Sequence, residues 1–171
     1  MARAVKLSAV ALLIAASFPG AADLAFAQPY YLPNAAGSRV VTVKPIGNAK
    51  SAGNAEAAIT VLTQAVAIKE TGPKETVAHF GEVYAFSPSF IAVHRGQPTE
   101  ISFWNLQPDD DHNLMLVDPR WNVLMFVDLP PLTKTAYVFT FHEEGLFPFY
   151  CTMHQPEMSG QILVLPPLKL K

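Results

Sequence analysis

From Glu75 to Leu165 the chain is cut into short apolar stretches by turn formers, and this spacing constrains its fold more than any other feature. "ETVAHFGEVYAF" (Glu75 to Phe86) alternates until Ser87-Pro88 breaks it. "SFIAVHRGQPTEISFWN" (Ser89 to Asn105) reads as strand, Arg95-Gly96 turn, strand. "HNLMLVD" (His112 to Asp118), "TKTAYVFTF" (Thr133 to Phe141), "LFPFYC" (Leu146 to Cys151) and "GQILVL" (Gly160 to Leu165) continue the series, with Glu143 to Gly145 as a turn. Many short strands with such punctuation and almost no helix argue for an all-β sandwich or barrel, its sheets antiparallel or mixed. The inward faces expected to pack together carry Ile91, Val93, Ile101, Phe103, Leu114, Leu116, Phe139, Phe141, Phe149, Ile162 and Val164.

The first 74 residues have a different texture. Arg3 and Lys6 precede an apolar run from Leu7 to Phe18, and Ala25-Phe26-Ala27 offers a cleavage site before Gln28, so residues 1–27 read as a secretory signal peptide. The run is shorter than the roughly 20 residues of a membrane span, and no later segment is expected to cross a membrane. Residues 28–74 read as an N-terminal extension. Within it, Pro29 to Ser38 is a loose arm, Arg39 to Pro45 a short strand, and Asn54 to Lys69 a helix. The helix expectation rests on Ala58, Leu62, Ala65, Val66 and Lys69 sharing one face, with Asn54 as cap and Gly72-Pro73 as stop, while the β-branched content of the same stretch also fits a strand.

Of 12 basic and 14 acidic residues, Arg3, Lys6 and Asp23 precede the expected cut, so the remainder is net acidic. That balance excludes the basic footprint of a nucleic-acid binder. Export leads to a compartment where disulfides form. Yet the chain has one cysteine and cannot make an internal bridge. A lone thiol in such a place is buried and inert, paired with another chain, or committed to a metal or to catalysis.

Its neighbours favour the metal. Cys151 ends a predicted strand, Gly160 opens the next, and the loop between holds His154 and Met158 as well. Thiolate, imidazole and thioether together favour copper over calcium or magnesium, which take oxygen ligands. Two histidines, a cysteine and a weak axial methionine form the ligand set of a blue-copper electron-transfer site. A tight loop is poor geometry for a Cys–His nucleophile, and methionine is a poor zinc ligand. The second histidine must come from elsewhere. His112 follows the polar "QPDDD" loop at a strand start, ahead of His79, His94 and His142 but not alone.

Three segments resemble the cupredoxin, or blue copper, family: Pro88 to Asn105, Asp109 to Val117 with its "HN" pair, and Phe141 to Val164. The resemblance implies a Greek-key β-sandwich over residues 75–171 and one mononuclear copper ion bound by His112, Cys151, His154 and Met158. It also implies that Asn113 and Thr152 tie the two ligand loops by hydrogen bonds. Glu157 is a minor rival to Met158 as axial ligand, because three residues separate His154 from Met158, a gap unlike those of amicyanins and pseudoazurins. Met153 is expected to point outward. A dinuclear copper centre needs two bridging cysteines and is excluded.

The function implied is that of an exported, monomeric electron carrier and not an enzyme. Its partner would be a redox protein, a cytochrome or a copper or haem enzyme, in the same compartment, which for an exported cupredoxin of this size is a bacterial periplasm. The Asp109 to Asp111 run is most often just a solvated loop, and beside a redox site it would steer a basic partner, an effect that salt weakens. A copper delivery or storage protein is the alternative. A nitrite-reducing subunit would need a second copper site, for which the remaining three histidines are scattered.

Overall fold

A computed structural model describes residues 40–45 and 55–169. The signal peptide expected over 1–27 and the loose arm expected over Pro29 to Ser38 lie outside the described residues. The described chain folds in the order β1 (Val41–Pro45), β2 (Ala57–Ala67), α1 (Lys74–Phe80), β3 (Val83–Ser87), β4 (Phe90–His94), β5 (Thr99–Trp104), β6 (His112–Val117), β7 (Val123–Leu129), β8 (Lys134–Phe141), β9 (Gly145–Tyr150) and β10 (Ser159–Leu165).

The strands form two five-stranded sheets. One has the order β1-β8-β5-β2-β3 and the other β4-β10-β9-β6-β7. β2 runs parallel to β5 and β4 parallel to β10, while the other neighbours are antiparallel. Alternation supplies the layer between them: Tyr137, Phe139 and Phe141 of β8 face inward, as do Ile91 and Val93 of β4. Every residue of the expected core is buried, and Tyr84, Phe86, Tyr137 and Phe147 join it. Each such side chain contributes roughly 1.5–3 kcal/mol by leaving water. The all-β sandwich expected from the turn spacing is the fold found.

Three local expectations are corrected. Asn54 to Lys69 is not a helix within its described part: Ala57–Ala67 is the longest strand. Val61, Thr63 and Ala67 are buried at period two, and the β-branched Ile59, Thr60, Val61 and Thr63 suit a pleated surface. The helical pattern was equally present, but the place between β5 and β3 requires an extended chain whose backbone groups pair on both sides. Of the stretch expected as an N-terminal extension, the described strands β1 and β2 pair within one of the two sheets.

Glu75 to Phe86 is not one strand either. Lys74–Phe80 is a short helix with Glu75 in its first turn, where an acidic side chain suits the helix dipole. Gly81, at φ 80°, ends it, and only Val83–Ser87 is extended. Finally, β7 lies in "VLMFVDL", where apolar residues at all positions but Asp128 hide the alternation: Met125, Val127 and Leu129 are buried on one face, while Phe126 and Asp128 on the other are more open.

Candidate metal centre

β6 and β9 are antiparallel neighbours, with Met115 opposite Tyr150 and Leu116 opposite Phe149. The start of β6 and the end of β9 therefore meet at one pole, and the 151–158 loop folds back over His112. Backbone bonds fix that loop. Cys151 N donates to the Met158 carbonyl and Met158 N to the His154 carbonyl, each at 2.9 Å. The side chain of Asn113 joins it to β6 twice: Nδ2 donates to Thr152 Oγ1, and Oδ1 accepts from Thr152 N, both at 2.8 Å. This is the tie that the resemblance implied for Asn113 and Thr152.

One ligand atom from each of His112, Cys151 and His154 converges, all within 4.8 Å of one another. The two Nδ1 atoms are 3.1 Å apart, and Cys151 Sγ is 3.6 Å from His154 Nδ1. Cys151 and Met158 are fully buried, His112 is buried, and His154 is half-buried, so the cluster opens outward through one imidazole. Met158 closes the loop from inside the core, whereas Glu157 is exposed and Met153 is 51% exposed. The other histidines sit apart from the cluster. His94 Nδ1 lies 2.6 Å from the Pro166 carbonyl, His142 Nε2 lies 2.8 Å from Thr42 Oγ1, and the His79 ring stands edge-on to Phe80.

The donor set fits a thiophilic transition metal. Metal–nitrogen bonds of about 2.0–2.1 Å and metal–sulfur bonds of about 2.3 Å let one ion reach atoms at these separations without moving the rings far. Two imidazole nitrogens face each other without a carboxylate between them. His112 Nε2 is buried with no hydrogen-bond partner among the described residues, the mark of a polar group kept for something other than stability. Burial and the neighbouring His154 imidazole push the His112 pKa down to about 4, against a partial opposing pull from Asp110 and Asp111. His112 is thus neutral at pH 7, the form in which imidazole binds a metal.

A two-layer β-sandwich, an upstream His-Asn pair opening one strand, and Cys, His and Met in the last loop make the arrangement that the sequence resemblance implied. The fold is cupredoxin-like. No family model matches the chain, and no curated protein matches it. Among solved structures, auracyanin B is 14% identical, the match covering 75% of this chain and 100% of that one at a TM-score of 0.49. Auracyanin A, a "blue" copper protein from the green thermophilic photosynthetic bacterium Chloroflexus aurantiacus, is 18% identical over 63% of this chain and 98% of that one, TM-score 0.44. A Cu(I) amicyanin mutant is 21% identical over 74% of this chain and 99% of its own, TM-score 0.42.

Two neighbours of the cluster escape the ligand motif. Tyr84 on β3 packs its ring against both imidazoles, and its hydroxyl donates to the Asp110 carboxylate. Burial, then the hydrogen bond to Asp110 and the carboxylates of Asp110, Glu82 and Asp109, hold its phenol well above the ordinary range. In sequence, Tyr84 reads only as an alternating strand residue and Asp110 as part of a solvated acidic run. Their pairing bridges 26 residues, and no local pattern announces it.

Proposed function

We propose that the protein is a mononuclear type 1 copper protein that passes single electrons, with copper held by His112, Cys151, His154 and Met158. The observation that carries this reading is the convergence of two imidazole nitrogens and the only thiol within 4.8 Å, beneath a loop closed by a fully buried methionine. Bound copper would supply a one-electron couple between Cu(I) and Cu(II). The chain's part is to keep the donors where either state accepts them. The Asn113–Thr152 tie and the Cys151–Met158 backbone bond set the loop against β6, and such outer ties orient ligands and tune them.

His154 is the ligand nearest water and offers the way out for the electron. The exposed apolar side chains of Leu106, Leu132 and Met153 lie on loops of the same pole. The first two loops are joined where Leu132 N donates to the Gln107 carbonyl at 3.1 Å. A small apolar face with an acidic edge at Asp109 and Asp111 suits brief contact with a basic redox protein, such as a cytochrome or a copper or haem enzyme. No helix among the described residues is long and apolar enough to cross a membrane. The charged start, apolar run and small-residue cut site over 1–27 support export to the periplasm.

Visible absorption and EPR spectra of the Cu(II)-loaded protein beside Cys151→Ser test the reading. Intense thiolate-to-copper charge transfer in the wild type, lost in the variant, is the expected result. A colourless protein that binds only Cu(I) would instead assign it to copper delivery or storage.

A further inference from the structure

The proposed ligands sit on β6 and on the loop joining β9 to β10, all strands of one sheet, yet the residue lying against two of them comes from the other. Tyr84, on β3, is 1% exposed. Its ring centroid is 4.9 Å from that of His112 and 4.7 Å from that of His154, and the two imidazoles are themselves 4.9 Å apart. The three rings thus form a nearly equilateral cluster, with the phenol ring packed against both imidazoles.

The phenol is itself restrained. Its hydroxyl donates to Asp110 Oδ2, and the Asp110 carbonyl accepts from Asn105 Nδ2 at 2.8 Å. Asn105, 1% exposed, also donates to the Leu129 carbonyl at 2.8 Å. Its Oδ1 accepts from Thr63 Oγ1 at 2.9 Å and Gln107 N at 3.0 Å. A buried amide with donors and acceptor all engaged has no alternative orientation to adopt. A line of directional contacts therefore runs from β2 through Asn105 and Asp110 to Tyr84, and from there to both imidazoles. The register of β2 against β3 shifts at the same place, between the Ala65–Tyr84 and Ala67–Val83 pairs, and such bulges re-aim side chains beside functional sites.

We propose that Tyr84, anchored by Asp110, is a positioning residue of the metal centre that holds the imidazoles of His112 and His154 in their mutual geometry from the facing sheet. The inference rests on the copper reading above. His154 gives it purpose: half-buried on a surface loop, its ring has less packing around it than that of His112, and Tyr84 supplies a wall on the inner side. Residues that hold ligand rings in this way typically cost 10–100-fold in metal affinity or activity when removed.

The test uses the full chain with Tyr84→Phe, Asp110→Ala, their combination, and Tyr84→Leu. Cu(II) affinity, charge-transfer and EPR parameters are measured on loaded protein, and imidazole ring dynamics and unfolding midpoints on metal-free protein by NMR and urea titration. Tyr84→Leu is expected to lower copper affinity by roughly 10-fold or more and to shift the EPR hyperfine splitting. Tyr84→Phe and Asp110→Ala should each give part of that change, and the double variant no more than the larger single, because both cut the same link. Additive effects would remove Asp110 as the anchor. Variants that unfold more easily but keep wild-type affinity, EPR parameters and ring dynamics would overturn the proposal and leave Tyr84 as core filling. A wild type with no charge-transfer band would defeat the copper reading itself. The metal-free ring dynamics would still decide whether Tyr84 positions the imidazoles.

Discussion

At the scale of single residues, the centre gathers groups that are poor choices for stability alone. His112 is buried with one ring nitrogen unpartnered among the described residues and its pKa pushed down to about 4 from 6.5, first by burial and then by His154. In the unfolded chain this imidazole takes up a proton as pH falls through 6.5, while in the native chain it does so only near 4. Within that window the unfolded state binds more protons, so metal-free protein loses stability as pH falls from 6.5 toward 4. The share owed to His112 is on the order of 3 kcal/mol. Urea unfolding across this range should show the decline, and His112→Gln, which cannot titrate, should flatten it. The lone cysteine was readable at this scale because thiol, imidazole and thioether share one loop. Tyr84 was not, because its meaning lies in a ring contact with residues far along the chain.

At the scale of elements, the last loop depends on a close approach at its exit. A Cβ on Gly160 would run into the Phe149 ring and the Ser89 carbonyl, the latter being backbone that cannot rotate away. Gly160→Ala is accordingly expected to destabilise the protein by about 1–3 kcal/mol, read as a lower urea midpoint with an unchanged m-value. Strands whose two faces differ, such as β4 and β8, were legible from alternation alone, and Arg95-Gly96 turned as its sequence suggests, with Gly96 at φ 78°. β2 carried both a helical stripe and a β-branched alternation, and the choice between them was made by pairing with β3 and β5, which no local pattern within β2 announces. The start of β3 was hidden because Gly81, inside an alternating run, ends a helix instead of continuing a strand.

At the scale of the molecule, the sheets present an acidic edge and an apolar face at one pole. Asp109 and Asp111 are exposed there, while Asp110 is turned to Tyr84. If the protein carries electrons as proposed, association with a basic redox partner should therefore slow as ionic strength rises from about 0.01 M to about 0.15 M, where the Debye length shrinks from about 30 Å to about 8 Å. Asp109→Asn with Asp111→Asn should lower the low-salt rate, by roughly 10-fold if steering is strong, and remove most of its salt dependence in stopped-flow measurements. The turn spacing, the expected core and the His-Asn and Cys-His-Met segments together were enough to foresee the sandwich and the end of it that matters. They could not show that β1 and β2 belong to it, since strand partnership is a property of the assembled sheet.

The phenol of Tyr84 crosses the seam between the layers, standing on one sheet and touching side chains carried by the other. Apolar contact between two sheets carries no preferred direction of its own. Here a displacement of one sheet over the other would drag a ring against both imidazoles of the cluster. Under the copper reading proposed above, the colour of the loaded protein would then serve as a strain gauge for the whole sandwich.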